Sequence, residues 1–225
     1  MMAVTHWKTF DSDAELAQLA TARILSAARE AIAARGVFHL VLAGGSTPRR
    51  VYQALRHAGA DWAHWCIWFG DERCLPPDHP ERNSRMAGEV WLDHVAIPAA
   101  QVHVMPAELG SFAAAQAYAG ALSETGDFDL VLLGLGEDGH TASLFPGHDL
   151  GEAVDAPDAL AVSDAPKPPP ERVSLSARRL SRSQRTLFLI TGAGKRDAVI
   201  AWQNGQAIPA SRISALHSLE VFLAV

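Results

Sequence analysis

The sequence is poor in cysteine and has no basic tract, and both absences narrow the class of protein that it can encode. Cys66 and Cys74 are its two cysteines, and their spacing is typical of neither a zinc site nor a disulfide framework. Such sparse cysteine use fits a reducing compartment. Lysine and arginine number 19 against 25 acidic residues, which gives a net charge of −6. This balance argues against a nucleic-acid partner, because a phosphate backbone requires a concentrated positive surface.

Long apolar runs are also missing. No apolar segment approaches the roughly 20 residues that are needed to span a bilayer. The first residues, 1–8, lack the basic-then-apolar order of a signal peptide. We therefore predict a cytoplasmic protein with no membrane partner. With 225 residues, of which 48% are hydrophobic, the chain suits one globular domain over residues 1–225.

Short apolar runs alternate with helix-like segments along most of the chain, and a Ser-x-x-Glu capping box at Ser12 and a stop at Gly36 bound the first helix. This alternation predicts an α/β fold with a mainly parallel sheet covered by helices on both faces. Ligands of such sheets lie beyond the carboxyl ends of the strands. We predict strands at 37–42, 66–69, 101–105, 128–133, 172–176, 187–191 and 220–225, helices at 12–35, 48–55, 84–95, 111–122, 195–202 and after 211, and an irregular segment at 147–170.

The loop after the first of these strands has the composition of an anion pocket. Gly44 and Gly45 let a ligand approach the backbone, and the helix that starts near Pro48 offers unpaired N–H groups and a positive dipole end. Ser46 and Thr47 add hydroxyl donors, and either can cap that helix. The Gly-Lys-Ser/Thr ending of a Walker loop is absent. Taken alone, the same residues also fit a tight turn before an ordinary helix.

Two acids and an arginine follow the next strand in Gly-Asp-Glu-Arg, residues 70–73. Arg73 can bind an oxyanion or a sugar oxygen, and Asp71 can accept hydrogen bonds from hydroxyl groups. In isolation, a solvated salt bridge of little energetic value explains these residues equally well.

The loop at 134–143 reads Gly-Leu-Gly-Glu-Asp-Gly-His-Thr-Ala-Ser and contains a literal Gly-x-Gly-x-x-Gly. We reject a dinucleotide site, because two acids lie inside the turn and Pro146 prevents a long helix after it. We interpret the loop as a glycine-rich turn that presents Asp138 and His140 side by side. Since a carboxylate fixes the tautomer of an adjacent imidazole, His140 is a candidate general base. The alternative is a structural histidine in a glycine turn.

Three segments, at 42–48, 69–73 and 133–147, together resemble the 6-phosphogluconolactonases, and further matches follow at 166–174 and 192–195. The resemblance implies a Rossmann-like three-layer α/β sandwich, as in amino-sugar phosphate deaminases and ribose-5-phosphate isomerases. It also implies an enzyme without metal or cofactor. Its substrate would be a small phosphorylated sugar lactone, 6-phospho-D-glucono-1,5-lactone, hydrolysed in the oxidative pentose phosphate pathway.

The same resemblance implies roles for individual residues. His140 resembles the catalytic base, with Asp138 beside it, and Arg73 resembles a substrate-contacting arginine of the catalytic group. Asp71 resembles a neighbouring polar contact. The residues that resemble the family's phosphate and sugar contacts are Gly44, Gly45, Ser46, Thr47, Lys167 and Arg172.

Two other functions are compatible with the sequence. An amino-sugar phosphate deaminase or isomerase on the same fold would need further carboxylates, and the stretch 143–147 after His140 carries none. A sugar-phosphate sensor without chemistry would usually add a DNA-binding segment, and the sequence has no spare region for one.

Arg82 stands before Asn83 where the family pattern has serine, so the role of that loop is left open, as is that of Lys195. The sequence does not distinguish a monomer from a small homo-oligomer.

Overall fold

The computed structural model describes residues 4–225, which form two β-sheets. The strands are β1 (Thr5–Thr9), β2 (Phe38–Leu42), β3 (Trp65–Phe69), β4 (Asp71–Arg73), β5 (Phe128–Leu133), β6 (Ala159–Val162), β7 (Arg172–Leu175), β8 (Ser183–Thr191) and β9 (Ser218–Ala224). The main sheet has six parallel strands in the order β1-β9-β8-β5-β2-β3. The small sheet is antiparallel, in the order β4-β7-β6.

Helices cover both faces of the main sheet, as the sequence predicts. Arg185 and Phe188 are three positions apart in β8, so their side chains point to opposite faces. Arg185 pairs with Glu30 in the first helix, and the ring of Phe188 lies 4.8 Å from that of Trp202 in the last helix. None of the helices within residues 4–225 has the length and apolar character to cross a membrane. The helices are α1 (Asp13–Arg35), α2 (Ser46–Leu55), α3 (Asn83–Val90), α4 (Ser111–Leu122), α5 (Ala177–Ser181) and α6 (Arg196–Gln203).

The bounds of α1 follow from its capping residues. Ser12 Oγ accepts a hydrogen bond from the N–H of Glu15 at 3.2 Å, which satisfies one donor of the first turn. Gly36 ends the helix in the left-handed conformation, at φ 78°, which glycine adopts without steric cost. The apolar residues of α1 that recur at helical spacing are all buried: Leu16, Ala20, Ile24, Ala27 and Ala31.

Several local predictions are wrong. Residues 101–105 do not form a strand: a single bridge joins Val102 to Ile67, and prolines on both sides of the segment prevent a longer ladder. The helix predicted at 84–95 ends at Val90 and is followed by a 3₁₀ turn. The helix predicted after Ser211 is a 3₁₀ turn over Pro209–Arg212.

Three strands were not predicted: β1, β4 and β6. The segment at 147–170 contains β6, which pairs along its length with β7. Strand β4 has three residues and pairs with β7, some hundred positions away in the chain. Strands this short acquire their stability from distant partners, so local periodicity does not reveal them.

The strand order places a ligand crevice next to β2. From β2 the chain continues to β3 on one side, and it then returns to β5 on the other side. The loops that follow these strands therefore diverge from a common line at the carboxyl edge of the sheet. A topological switch of this kind opens a cleft in parallel α/β folds.

Two partly buried histidines share one indole ring. His39 Nδ1 accepts a 3.2 Å hydrogen bond from Trp68 Nε1, and the His103 ring stacks on Trp68 with centroids 3.9 Å apart. Burial lowers the pKa of both imidazoles below the ordinary value of 6.5. The folded chain therefore favours both rings in their neutral form.

This shift makes stability sensitive to mild acid. Below pH 6.5 these two histidines bind more protons in the unfolded chain than in the folded chain. Their contribution to the free energy of unfolding is therefore complete above that pH and is lost as the pH falls below it. We expect the urea midpoint to decrease between about pH 7 and about pH 5.5. The decrease should be smaller in His103→Phe, which keeps an aromatic ring on Trp68 without a titrating group. Identical pH profiles for the two proteins would contradict this account.

Candidate active site

A cavity of about 200 Å³ opens at the carboxyl ends of the parallel strands, where the loops after β2, β3, β5 and β8 meet. Its wall carries three cationic side chains against one carboxylate, so the site favours an anionic ligand. The lining residues are Ala43, Gly44, Gly45, Asp71, Arg73, Asn83, Gly134, Leu135, Gly136, His140, Thr141, Ala142, Arg172 and Lys195.

The loop after β2 forms a backbone wall of this cavity. Gly45, at φ 106° and ψ 172°, is the N-cap of α2, which begins at Ser46. The prediction that Ser46 or Thr47 caps this helix is therefore wrong, because the turn requires a positive φ that glycine alone adopts readily. Gly45 has no side chain that could cover the first turn of α2, so the N–H groups of that turn are available to an anion.

The two hydroxyl groups of this loop differ in position. Thr47 is buried, and its Oγ1 lies 2.7 Å from Thr191 Oγ1 at the end of β8. This hydroxyl therefore joins α2 to β8. Ser46 is exposed at the start of the helix. Both lie outside the lining set, and their roles as substrate contacts remain predictions, whereas Gly44 and Gly45 reach the cavity.

Gly44 is required by the packing of Asn83. A Cβ atom on Gly44 would lie 1.9 Å from Asn83 Oδ1 and 2.5 Å from its Cγ, so no side chain fits there. Asn83 Nδ2 donates to the main-chain oxygen of Asp71 at 2.9 Å and to its Oδ1 at 3.1 Å. The carboxamide of Asn83, whose role the sequence left open, is therefore part of the cavity wall.

Asp71 is buried and is held at both carboxylate oxygens. Besides the contact of its Oδ1 with Asn83, its Oδ2 accepts a 2.6 Å hydrogen bond from Ser143 Oγ. The carboxylate thus joins β4 to α3 and to the turn that carries His140. Asp71 also borders the cavity, and its role as a sugar contact remains a prediction.

Two arginines of the cavity lie side by side on adjacent strands of the small sheet. Arg73 in β4 is the register partner of Arg172 in β7, and like charges directly opposite each other repel. Arg73 Nη1 donates to the carbonyl oxygen of Glu81 at 3.0 Å. Its Nε is buried and has no hydrogen-bond partner within residues 4–225. This Nε is therefore an unsatisfied donor behind the cavity wall, which a ligand can reach only if the guanidinium shifts.

Arg172 holds the loop that precedes β7. Its Nε and Nη2 donate to the carbonyl oxygens of Pro169 and Lys167, at 3.1 Å and 2.8 Å. Burial lowers the pKa of Arg172, and the neighbouring Arg73 adds to this shift. The nearby Asp71 carboxylate opposes the shift, and an anion bound beside the two arginines would likewise favour the charged guanidinium.

The turn after β5 forms the predicted acid–imidazole pair. His140 Nδ1 lies 2.5 Å from Asp138 Oδ1, which also accepts from the main-chain N–H of His140 at 3.2 Å. Burial opposes ionisation of Asp138, but its hydrogen bonds with His140 outweigh burial, so the pKa of Asp138 lies below the usual 3.8. The ionised carboxylate fixes a proton on Nδ1 and leaves Nε2 as the free acceptor. Asp138 lies behind the imidazole, outside the lining set.

This pair packs directly on the backbone of Gly136. A Cβ atom there would lie 2.0 Å from His140 Nδ1 and 2.6 Å from Asp138 Oδ1. The N–H of Gly136 donates to the carbonyl oxygen of His140 at 2.7 Å and closes the turn. On another side, the buried ring of Phe145 lies 4.8 Å from the imidazole. The position of the base is therefore fixed by main chain and by an aromatic ring.

The two lysines considered in the sequence occupy different positions. Lys195 follows β8 in a 3₁₀ turn and lines the cavity. Lys167 is more than half exposed, and its Nζ lies 3.9 Å from Glu137 Oε2, outside the lining set. The predicted contact of Lys167 with substrate remains a prediction. The segment Gly-Ala-Gly-Lys follows the end of β8, and ligands of parallel sheets lie beyond strand ends. This position is the feature of the sequence that could have identified Lys195 as a residue of the site.

The fold and the site together define an α/β enzyme for a small anionic substrate, with one imidazole positioned for proton transfer. The chain belongs to the family of glucosamine-6-phosphate isomerases and 6-phosphogluconolactonases, whose sequence model matches residues 11–222. The resemblance to the 6-phosphogluconolactonases that the motifs indicated is thus confirmed.

Relatives with assigned functions are similar over most of the chain. The 6-phosphogluconolactonase of Mycobacterium tuberculosis is 40% identical over 205 residues, which cover 85% of this chain and 82% of that protein. The 6-phosphogluconolactonase of Mycobacterium leprae is 37% identical, with 87% and 86% covered. The rabbit GDH/6PGL endoplasmic bifunctional protein is 39% identical, but the match covers only 24% of that protein and 83% of this chain.

Solved structures confirm the predicted fold. The 6-phosphogluconolactonase of Thermotoga maritima superposes with a TM-score of 0.91 at 27% identity, covering 99% of this chain and all of the other. A monomeric glucosamine-6-phosphate deaminase superposes with a TM-score of 0.83 at 20% identity over 97% of both chains. At that identity the second likeness shows a shared fold alone.

Proposed function

We propose that this chain hydrolyses 6-phospho-D-glucono-1,5-lactone to 6-phosphogluconate, a step of the oxidative pentose phosphate pathway. The observation that carries the proposal is the pairing of His140 with Asp138 in a cavity that also holds three cations. The relatives named 6-phosphogluconolactonase, at 37–40% identity over most of the chain, support the same activity.

The imidazole provides the base. Asp138 holds the proton on Nδ1, so Nε2 of His140 takes a proton from a water molecule as that water attacks the lactone carbonyl carbon. A carbon–oxygen bond forms, and negative charge develops on the carbonyl oxygen. The ring carbon–oxygen bond then breaks, and the imidazolium returns its proton to the departing ring oxygen. The product carries a free hydroxyl group and a carboxylic acid, which releases its proton to the solvent and becomes the carboxylate.

Arg73 stabilises the charge that develops on the carbonyl oxygen. Two donors are candidates, this side chain and a main-chain N–H of the glycine turn that carries His140. Arg73 lines the cavity, and its buried Nε lacks a protein partner among the described residues, which favours the side chain, because a small shift of the guanidinium would give this unsatisfied donor a partner in the oxyanion. This contact would be stronger in the transition state than with the neutral lactone.

The phosphate group binds through charge-assisted contacts. Lys195, Arg172 and the open start of α2 at Gly45 surround the cavity, and a phosphate ester brings close to two negative charges. Ser46 and Lys167 are proposed to approach the phosphate from the rim. Binding of this remote group orients the ring, which places the carbonyl near the imidazole. The reaction is proposed to need neither metal nor cofactor.

The sequence after His140 and the identities of the relatives disfavour an amino-sugar phosphate deaminase. Moving protons between carbon atoms requires further carboxylates, and the segment 143–147 after the His140 turn carries none. The deaminase with a known structure shares the fold at 20% identity, whereas the relatives of higher identity are named lactonases. Lactone hydrolysis is therefore the better supported function.

An assay with substrate generated in the cuvette tests the proposal. Glucose-6-phosphate is oxidised enzymatically to the lactone, and release of 6-phosphogluconate is followed with and without this protein. We expect catalytic amounts of the protein to accelerate release well above spontaneous hydrolysis. Equal rates would overturn the proposal, and ammonia release from glucosamine-6-phosphate would establish the deaminase instead.

We further propose that the protein acts in the cytoplasm as a monomer or small homo-oligomer, with a phosphorylated sugar lactone as its partner and without nucleic acid or membrane. The sparse cysteines and the net charge of −6 support this. Light scattering on the purified chain would determine the oligomeric state.

A further inference from the structure

Glu72 is fully buried next to the cavity, although the proposed reaction does not use it. Its carboxylate accepts three main-chain hydrogen bonds of 2.8 Å. Oε1 accepts from the N–H groups of Arg73 and Asn83, and Oε2 accepts from that of Ser84. Two of the three donors thus belong to residues that line the cavity.

Arg82 holds this carboxylate from its other side. Its Nε lies 3.2 Å from Glu72 Oε2, a charge contact that is too bent for a hydrogen bond. Arg82 is itself only 1% exposed, and its Nη1 and Nη2 donate to the carbonyl oxygens of Leu75 and Met105. Because each group has partners on several sides, the Glu72 carboxylate cannot rotate without leaving buried polar groups unsatisfied.

Two consecutive acids hold Asn83. Glu72 accepts from its main-chain N–H, and Asp71 accepts from its Nδ2 at both the main-chain oxygen and Oδ1. The amide orientation is therefore fixed, and Oδ1 is the end that lies against Gly44. No donor within residues 4–225 hydrogen-bonds to this Oδ1. It is a free acceptor in the wall of the cavity.

We propose that Glu72 is a positioning residue, which holds Asn83 so that its Oδ1 accepts a hydrogen bond from a hydroxyl group of the sugar ring. The inference rests on the proposed function and adds a specificity contact to it. The cationic side chains of the cavity bind the phosphate and the oxyanion. Because these side chains only donate hydrogen bonds, they cannot accept one from a hydroxyl group of the sugar. A fixed carbonyl acceptor supplies that recognition, since an analogue without the hydroxyl would leave it unpaired.

The test is a double-mutant cycle between Glu72→Gln and Asn83→Ala. Glutamine keeps the shape of Glu72 but replaces one acceptor oxygen with an NH₂ group, so at least one of the three main-chain N–H groups then faces another donor and the hold on Asn83 is weakened. We expect Glu72→Gln to lower kcat/KM by about 100-fold, the effect of a displacement near 1 Å, and Asn83→Ala, which removes the acceptor itself, to lower it by a similar factor. If Glu72 acts through Asn83, the double variant should lose little more than either single one.

Glu108→Gln is the matched control. Glu108 contacts the same Arg82, at 3.1 Å from its Nη1, and has no contact with Asn83 or Arg73 in the described structure. We expect it to keep the wild-type kcat/KM. Circular dichroism and thermal unfolding of all variants report stability separately, because a purely structural Glu72 would lower Tm and leave kcat/KM at 25 °C unchanged.

The outcomes separate the two proposals. Wild-type kcat/KM in folded Glu72→Gln or in Asn83→Ala, or losses that multiply in the double variant, overturn the positioning role. Should Glu72→Gln fail to fold, Glu72→Asp keeps the charge with a shorter reach and enters the same cycle with the same expectations. A wild-type chain that does not hydrolyse the lactone overturns the proposed function itself.

Discussion

Replacing His140 with alanine is expected to lower kcat by about 10²–10⁴-fold, the range of general-base catalysis. The variant removes the one imidazole that lines the cavity within residues 4–225, while Arg73, Arg172 and Lys195 remain. Phosphate binding should therefore persist, and KM should change little. Steady-state hydrolysis of lactone generated from glucose-6-phosphate, corrected for the spontaneous rate, measures both parameters.

Two further variants define the role of the pair. Asp138→Asn keeps the imidazole but loses the carboxylate that fixes its tautomer, so we expect a smaller loss than in His140→Ala. His64→Ala removes an exposed histidine that pairs with Asp61, away from the cavity, and should retain full activity. Wild-type turnover in a folded His140→Ala protein would show that another group is the base.

Gly136→Ala is expected to abolish most activity by adding a single methyl group. That methyl group would lie 2.0 Å from His140 Nδ1 and 2.6 Å from Asp138 Oδ1, both too close for real contacts, so the imidazole and the carboxylate must both move. A displacement of about 1 Å at a reacting group costs on the order of 100-fold in rate. We expect a loss in kcat of that size, measured in the lactone assay, with a chain that still folds.

Gly120→Ala is the control for this variant. Gly120 lies in α4, where an added methyl group meets no atom within 4 Å. Alanine should leave the rate unchanged and raise stability by about 0.5–1 kcal/mol, because it restricts the unfolded chain and suits a helix. If Gly136→Ala retained wild-type kcat, the close packing of the pair on the turn would be irrelevant to catalysis.

The sequence predicts those parts of the fold and the site that depend on local order. The apolar runs that become β2, β3 and β5 are visible because parallel strands are buried on both faces. The pair of Asp138 and His140 is visible because both residues belong to one short turn, in which glycine limits the possible conformations. Arg73 is visible because it follows a strand end directly.

The remaining parts depend on contacts between distant segments. Asn83 enters the cavity because Asp71 and Glu72, more than ten positions earlier in the chain, hold it there. Thr47 is within a predicted anion loop, yet its hydroxyl group hydrogen-bonds with that of Thr191 at the end of β8. The direction of a side chain in such cases is decided by its tertiary partner. Spacing within a motif carries no information about that partner.

The register of the small sheet has a consequence for the evolution of this site. The gap between the two guanidinium groups is set by how β4 is aligned along β7, and β4 contributes just three residues to that alignment. Sliding β4 by one position would turn Arg73 toward the opposite face and separate the two charges, while the six-stranded sheet would be untouched. A one-residue insertion or deletion beside this strand could therefore eliminate substrate recognition in a protein that still folds, so we expect length changes there to be rarer than substitutions.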